Sequence, residues 1–85
     1  MLIIKILGSG CENCKRLAWL AERAVNHLGI EAKIEKVTDY AKIMEYPILS
    51  TPGLVINEKV VSYGRIPSPA EVTTFVTNAL EAANP

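Results

Sequence analysis

The stretch GSGCENCKR, residues 8–16, decides how this chain is interpreted, because it places Cys11 and Cys14 three residues apart in a sequence with no other cysteine. Two cysteines at this spacing can be a redox couple, part of a metal site, or two small side chains that are buried together. The residues on either side of the pair decide between these interpretations.

The pair lies between a predicted strand and a predicted long helix. Upstream, the apolar run Leu2 to Leu7 is bounded by Gly8, which predicts a strand that is covered on both faces and central in its sheet. Downstream, apolar residues recur at spacings of three and four, so an amphipathic helix is expected to begin close to Cys11 and to be capped by Gly29. The residues of this apolar stripe are Leu17, Leu20, Ala21, Ala24, Val25 and Leu28.

The segment after this helix predicts a second strand and a short second helix. Apolar and charged residues alternate over residues 30–35, so this strand has one wet face and is expected at an edge of the sheet. Thr38 or Asp39 can cap a short helix over residues 40–45, which Pro47 then ends. A strand, a helix and a strand in this order predict a right-handed crossover between two parallel strands.

The last part of the chain predicts a hairpin and a closing helix. A turn at Pro52 and Gly53 leads into an apolar run over residues 54–56, and NEK joins this run to VVSY, residues 60–63. In SPAE, residues 68–71, a serine cap is followed by a proline in the first helical position and by a glutamate three residues after the cap. The closing helix is expected to bury Val72, Phe75, Val76 and Leu80.

The predicted order is therefore βαβαββα, an α/β sandwich in which helices flank a four-stranded mixed sheet, and we interpret residues 1–85 as a single domain. The formal charge is zero, and basic and acidic residues are interleaved along the chain, so we expect neither a nucleic-acid nor a membrane partner. The opening MLIIKIL, residues 1–7, is too short for a signal-peptide core or a membrane span. We therefore expect a soluble, cytoplasmic monomer.

A strand that leads into C-x-x-C at the start of a long helix, followed by Thr51-Pro52 entering a hairpin and by a closing helix, resembles the thioredoxin fold at glutaredoxin size. From Met1 to about Leu80, the chain is similar to the small thioredoxin-like redox-active disulfide proteins of prokaryotes. This resemblance implies that Pro52 is a cis-proline opposite the cysteines. It also implies that Thr51 offers its backbone to an extended substrate peptide.

The position of the cysteines predicts redox chemistry. A helix N-terminus favours a thiolate over a thiol, so Cys11 is expected to be the exposed attacking residue, although the negative charge of Glu12 opposes this effect. Cys14 lies about one turn further along the helix, on the same face, and is expected to resolve the mixed disulfide. In a reducing cytosol such a pair is more often catalytic or metal-binding than structural. The sequence thus predicts a thiol-disulfide oxidoreductase or electron carrier that needs no cofactor.

The sequence differs from glutaredoxins at two places, and these differences limit the partners that we expect. Thr51 stands where glutaredoxins have valine, and SYGRIPS, residues 62–68, lacks their Gly-Gly and Asp glutathione-binding signature. We therefore do not expect glutathione to be a partner. Disulfide-containing protein substrates and an electron donor of the thioredoxin-reductase type fit better.

A soft-metal carrier is the alternative function for the same two cysteines. GSGCENC after a strand also resembles the G-M-x-C-x-x-C loop of heavy-metal-associated domains, in which two thiolates hold Cu(I). Those domains have the order βαββαβ and no Thr-Pro before a hairpin, and Ser9 and Gly10 stand in place of their methionine. A zinc site would need more ligands, and His27 lies far along the helix. We therefore predict no metal site and keep the Cu(I) carrier as the alternative.

Overall fold

The computed structural model describes residues 1–10 and 12–83, and its elements follow the predicted order βαβαββα. The strands are β1 (Leu2–Leu7), β2 (Ala32–Val37), β3 (Gly53–Ile56) and β4 (Lys59–Tyr63). The helices are α1 (Glu12–Leu28), α2 (Tyr40–Ile43) and α3 (Pro69–Ala83). Among the residues described, none of the helices combines the length and the apolar character that crossing a bilayer requires.

The four strands form one mixed sheet in the order β2-β1-β3-β4. β1 runs parallel to β2, and β3 is antiparallel to both β1 and β4. β1 is thus inside the sheet and β2 at its edge, as their apolar patterns predicted. The predicted fold class, a four-stranded mixed sheet flanked by helices, is confirmed.

One face of the sheet packs against α1 and α3 and carries most of the core. Leu2, Ile4 and Ile6 project from β1 to this face and join the buried stripe of α1 and two valines of α3. In α1 the buried residues are Cys14, Leu17, Ala18, Leu20, Ala21, Ala24 and Val25. The helix ends as predicted at Gly29, whose φ of 64° suits the left-handed cap and brings Ile30 N within 3.3 Å of the Val25 carbonyl. We refer to this side of the sheet as the helical face.

The opposite face carries α2 and a much smaller apolar cluster of Leu7, Ile43 and Val55. Asp39 caps α2, since its side chain accepts a hydrogen bond of 3.0 Å from the backbone N–H of Ala41. The helix is one turn long and ends at Ile43, so the predicted extent of residues 40–45 was too long. The backbone after it tightens into bonds that reach back three residues, and Pro47 disfavours a helical conformation for the residue before it. We refer to this side as the thin face.

A polar cluster of Lys5, Tyr46 and Glu58 also lies on the thin face. Lys5 Nζ donates to Tyr46 Oη at 3.1 Å and forms an ion pair with Glu58, and Tyr46 Oη donates to Glu58 at 3.0 Å. The hydrogen bonds to Glu58 and then to Tyr46 raise the pKa of Lys5, and the bond from Lys5 lowers the pKa of Glu58. The cluster ties the segment after α2 to β1 and to the tip of the hairpin.

The β3–β4 hairpin turns at Asn57 and Glu58, both of which have positive φ, so Lys59 belongs to β4 rather than to the predicted connection. Asn57 also binds the start of β1. Its backbone N–H donates to the Ile3 carbonyl at 2.8 Å, and its side-chain oxygen accepts from the Ile3 N–H at 2.9 Å. Two hydrogen bonds therefore fix the tip of the hairpin to the start of β1.

β4 contains a β-bulge. Leu54 pairs with Ser62 whereas Val55 pairs with Val60, which leaves Val61 as the extra residue on the outer strand. A bulge of this kind bends its strand and increases the local twist. β4 is an edge strand, so this distortion lies at a border of the sheet.

α3 begins with the predicted capping box. The Glu71 N–H donates to Ser68 Oγ at 3.2 Å, and the Ser68 N–H donates to the Glu71 carboxylate at 3.1 Å. Pro69 occupies the first helical position, where a missing N–H has no cost. Val72 and Val76 are buried against the sheet, while Phe75 and Leu80 are partly buried.

Candidate functional site

The candidate site lies where β1 ends and α1 begins. Gly8, the residue after β1, extends the pairing with β2 by donating its N–H to the Val37 carbonyl at 3.0 Å. Cys14 lies near the start of α1, is only 5% exposed, and is disulfide-bonded. Cys11, the other cysteine of the chain, lies outside the described residues.

Gly8 is packed against Cys14 so closely that only glycine fits. A Cβ atom at position 8 would overlap the sulfur of Cys14 and lie 3.3 Å from its Cβ. The same point is 3.9 Å from the Cβ of Thr51. Gly8 thus marks the place where β1, α1 and the segment before β3 meet, and its missing side chain leaves the room that the sulfur occupies.

Thr51 and Pro52 lie beside this point, immediately before β3. The Thr51-Pro52 peptide bond is cis, as the resemblance implied. Thr51 is exposed and Pro52 is buried, so the exposed residue is the one next to Cys14. The structure therefore brings Cys14 and Thr51, which are far apart in the sequence, to one end of the sheet.

Gly64, just after β4, supports the segment that contains the cis bond. Its N–H donates to the Pro52 carbonyl at 3.0 Å. Its φ is 76°, and a Cβ atom there would come within 2.5 Å of Ser50 Oγ. The positive φ favours glycine at this position, and a side chain there would also require the hydroxyl of the exposed Ser50 to rotate away.

Arg65 follows Gly64 and is fixed to α3 rather than to the site. Its guanidinium donates two hydrogen bonds to the Glu71 carboxylate, at 3.2 and 2.6 Å. These bonds, followed by the bond from the Ser68 N–H, lower the pKa of Glu71 to about 2. The pKa of Arg65 is raised by the same pairing. The loop after β4 is thus fastened both to the cis-proline segment and to the first turn of α3.

A small cavity of about 70 Å³ opens on the helical face next to Cys14. It is lined by Ile6, Gly8, Gly10, Cys14, Lys15, Lys36 and Thr38. Our sequence interpretation did not identify Lys36 as part of the site. The signal was the alternation along β2, because Lys36 shares its face with Ala32 and Ile34, which both pack into the helical-face core.

Two apolar side chains are exposed near Thr51 in the fold. Leu49, two residues before Thr51, is 89% exposed, and Tyr63, which pairs with Gly53 at the start of β3, is also exposed. Large apolar side chains in such positions can contact an extended peptide that lies along the cis-proline segment. Sequence patterns alone could not place them together, since Tyr63 reaches this end of the sheet only through the hairpin.

Comparison with known proteins adds an independent finding. The family described as thioredoxin domain matches residues 2–77. A thioredoxin from Methanocaldococcus jannaschii is 38% identical over 81 residues, which cover 95% of this chain and 93% of that protein. A thioredoxin from Methanothermobacter thermautotrophicus is 38% identical over 77 residues, 91% of this chain and 100% of that protein. A solved structure of glutaredoxin 1 from Francisella tularensis in complex with cacodylate aligns over the whole of both chains, with 19% identity and a TM-score of 0.43.

Proposed function

Because the chain belongs to the thioredoxin domain family, a family of thiol-disulfide oxidoreductases, we propose that it reduces or exchanges protein disulfides through Cys11 and Cys14. The observation that carries the proposal is Cys14, which is buried, disulfide-bonded and adjacent to Thr51 of the cis peptide bond. In this proposal residues 1–85 act as one domain in the cytoplasm and receive electrons from a partner of the reductase type.

The proposed reaction is two successive thiol-disulfide exchanges. The Cys11 thiolate attacks one sulfur of the substrate disulfide, the substrate S–S bond breaks, and its other sulfur leaves as a thiolate that takes up a proton. Cys14 then loses its proton and attacks the Cys11 sulfur, which releases the second substrate thiol and forms the Cys11–Cys14 disulfide. Two electrons pass to the substrate, and a dithiol reductase returns two electrons and two protons to the protein.

The roles of the two cysteines follow from their positions relative to α1. Cys11 directly precedes Glu12, the first residue of the helix, where unpaired backbone N–H groups favour a thiolate. Cys14 is buried against Gly8 and is shielded from large substrates. Cys11 is therefore the attacking residue in the proposal, and Cys14 is the resolving one.

Thr51 and Pro52 are the proposed substrate dock. An extended peptide that hydrogen-bonds to the backbone of the exposed residue Thr51 would lie beside Cys14. The exposed side chains of Leu49 and Tyr63 offer apolar contacts to such a peptide. These features suit a protein substrate better than a small thiol, in agreement with the missing glutathione signature.

The element order also supports the redox proposal over the Cu(I) carrier. Heavy-metal-associated domains have the order βαββαβ, whereas this chain has the order βαβαββα with a cis-proline before the hairpin. The two functions make opposite predictions for the reduced protein. A carrier would bind Cu(I) tightly and exchange disulfides no faster than a free dithiol.

Trapping of mixed disulfides tests the proposal. Cys14→Ser removes the resolving thiol and keeps the attacker, so mixed disulfides with a model protein substrate should persist and be recovered on the protein. Cys11→Ser is the matched control and should capture almost none, because its remaining thiol is buried. In the native chain, Cys11 should also be alkylated faster than Cys14. Equal trapping by both variants, or tight Cu(I) binding without disulfide exchange, would overturn the proposal.

A further inference from the structure

A second cavity, of about 390 Å³, lies between the β3–β4 hairpin and the second half of α3. This volume falls in the range of small-molecule sites. Asn57, which lines the cavity, is hydrogen-bonded to the start of β1, whereas Cys14 packs just beyond the end of that strand. The cavity and the proposed redox site therefore lie at opposite ends of the sheet. The apolar part of the cavity lining consists of Ile56, Val61, Phe75, Ala79 and Ala82.

Two features of the sequence leave this space open. The β-bulge allows Val61 to pack on the helical face, the face on which Lys59 pairs with Ile56. On α3, the lining positions 79 and 82 lie one turn apart and both carry alanine. Their short side chains do not fill the gap between the helix and the hairpin, so an apolar space remains there.

Lys59 provides a positive charge at the border of this space. None of the described residues that line the cavity is acidic. Within the described part of the chain, Lys59 forms no ion pair, whereas Lys5 and Lys33 each pair with a glutamate. The adjacent Glu58 is the partner of Lys5 on the thin face, so it does not neutralise Lys59. The cavity is thus apolar inside and cationic at its border.

The remaining polar residues of the lining, Asn57 and Asn78, add hydrogen-bond donors. Asn57 Oδ1 accepts a hydrogen bond of 2.9 Å from the Ile3 N–H, which fixes this side chain and leaves its NH₂ group as a donor. A carboxylate accepts hydrogen bonds from such amides and is attracted by an ammonium group. An apolar chain would gain from leaving water for the space beneath.

We propose that this cavity binds a small amphipathic carboxylate, with its apolar chain against Val61 and Phe75 and its carboxylate at Lys59. An uncharged apolar molecule would leave the charge of Lys59 unused, and a cationic one would be repelled by it. The inference goes beyond disulfide exchange and does not depend on it, because the cavity shares no residue with the cysteine site.

The first test is a titration of the full chain with octanoate, followed by the NMR shifts of the backbone N–H groups. The shifts of Val61 and Ala79 should saturate, while Gly8 at the other end of the sheet should change little. Octanol and octylammonium are the matched probes. Octanol should bind about threefold to tenfold more weakly than octanoate, and octylammonium more weakly still. Absence of saturable shifts, shifts centred on Gly8, or equal affinity for octanoate and octanol would overturn the inference.

The second test changes the lining. Ala79→Leu should abolish octanoate binding because the added side chain fills the cavity, and Ala70→Leu, at an exposed position of the same helix, is the control. Lys59→Gln should weaken octanoate binding by about twofold to fivefold at low salt and leave octanol binding unchanged. Lys42→Gln, which removes an exposed lysine of α2, should leave both unchanged.

Two results of this second test would count against the proposal. Octanoate binding that survives both Ala79→Leu and Lys59→Gln would place the site elsewhere. Shifts of Val61 and Ala79 that depend on protein concentration without octanoate, together with a dimer in sedimentation, would assign the cavity to a second copy of the chain.

Discussion

The two faces of the sheet are built in different ways. The helical face is covered by α1 and α3. Between these helices and the sheet lies one contiguous apolar core, whose members range in sequence from Leu2 to Val76. The thin face has one turn of helix, three buried apolar residues and the Lys5–Tyr46–Glu58 cluster. Apolar burial contributes most where two layers exclude water, whereas exposed polar contacts contribute little to stability and mainly fix geometry. The helical face therefore stabilises the fold, and the thin face orients the segment that leads to Thr51.

The largest expected effect comes from core truncation on the two faces. Leu17→Ala on the helical face should destabilise the protein toward the upper part of the range of about 2 to 5 kcal/mol, because its fully enclosed surroundings cannot collapse into the cavity. Ile43→Ala in α2 should lie toward the lower part of that range, since one turn of helix can shift inward. Urea unfolding of both variants measures the difference, and equal losses in the free energy of unfolding would contradict the proposed difference between the two faces.

Two glycines provide the next largest contrast. Gly8→Ala should cost about 1 to 3 kcal/mol and impair closure of the disulfide, because its Cβ overlaps the Cys14 sulfur on the helical face. Gly53→Ala is the matched change on the thin face, where the new Cβ meets Leu7 and Ile48 side-chain atoms at 3.2 to 3.3 Å. These contacts are tight by only a few tenths of an ångström, whereas the Cβ at position 8 overlaps a sulfur, so the Gly53 variant should unfold at the higher temperature. The reverse order would show that the space at Gly8 is not a constraint.

Removal of one hydroxyl tests the polar cluster of the thin face. Tyr46→Phe deletes the hydrogen bonds to Lys5 and Glu58 but keeps the ring, so the fall in Tm should be smaller than for Gly8→Ala. Disulfide exchange should weaken mainly through a higher KM, because Tyr46 precedes the Thr51 segment. Tyr40→Phe changes an exposed tyrosine of α2 and serves as the control. A loss confined to kcat would contradict an orienting role for the cluster.

The smallest expected effect concerns the charged fastening of α3. The folded-state pKa of Glu71 is lowered to about 2, so its stabilising contribution is complete above the ordinary carboxyl pKa of about 4.3 and is lost as the pH falls toward 2. Glu71→Gln should therefore lower Tm slightly at neutral pH, and the difference from the native chain should vanish near pH 2. The pair is exposed, so salt should also reduce the difference.

Glu81→Gln, on the same helix, is the control for this titration. The Glu71→Gln variant should keep part of the acid sensitivity of the native chain, because the pKa of Glu58 on the thin face is also lowered. A Tm difference that stays constant from neutral pH to pH 2 would show that Glu71 stabilises the helix without its charge.

Structural features that depend on residues close together in the sequence were predicted correctly. The Ser68 cap, Pro69 and Glu71 form the capping box that their spacing indicated, and the apolar run of β1 marks a central strand. Such features depend on neighbours along the chain, where the spacing of residue types already determines the contacts. The cis state of Thr51-Pro52 came from the resemblance, because a trans bond is the general preference of X-Pro.

Features that depend on distant residues could not be predicted in this way. Lys5 interrupts an apolar run, and nothing local connects it with Tyr46 or Glu58, which are 41 and 53 residues away. Lys36 follows the alternating residues 30–35 on the same face as Ala32 and Ile34, and only the fold shows that it borders the cavity beside Cys14. In both cases the neighbours of a polar residue come from distant parts of the chain, and the local sequence pattern does not reveal them.

The bulge at Val61 has a consequence for self-association. Exposed edge strands present free backbone groups to other chains, and a regular edge is a template for intermolecular β-pairing and aggregation. In β4 the extra residue interrupts the spacing of those groups, and Lys59 adds a charge at the start of the strand. A second molecule that approached this edge could match the hydrogen-bonding pattern on one side of Val61 but not on both. The irregularity thus protects the border of a small sheet from growing by addition of foreign strands.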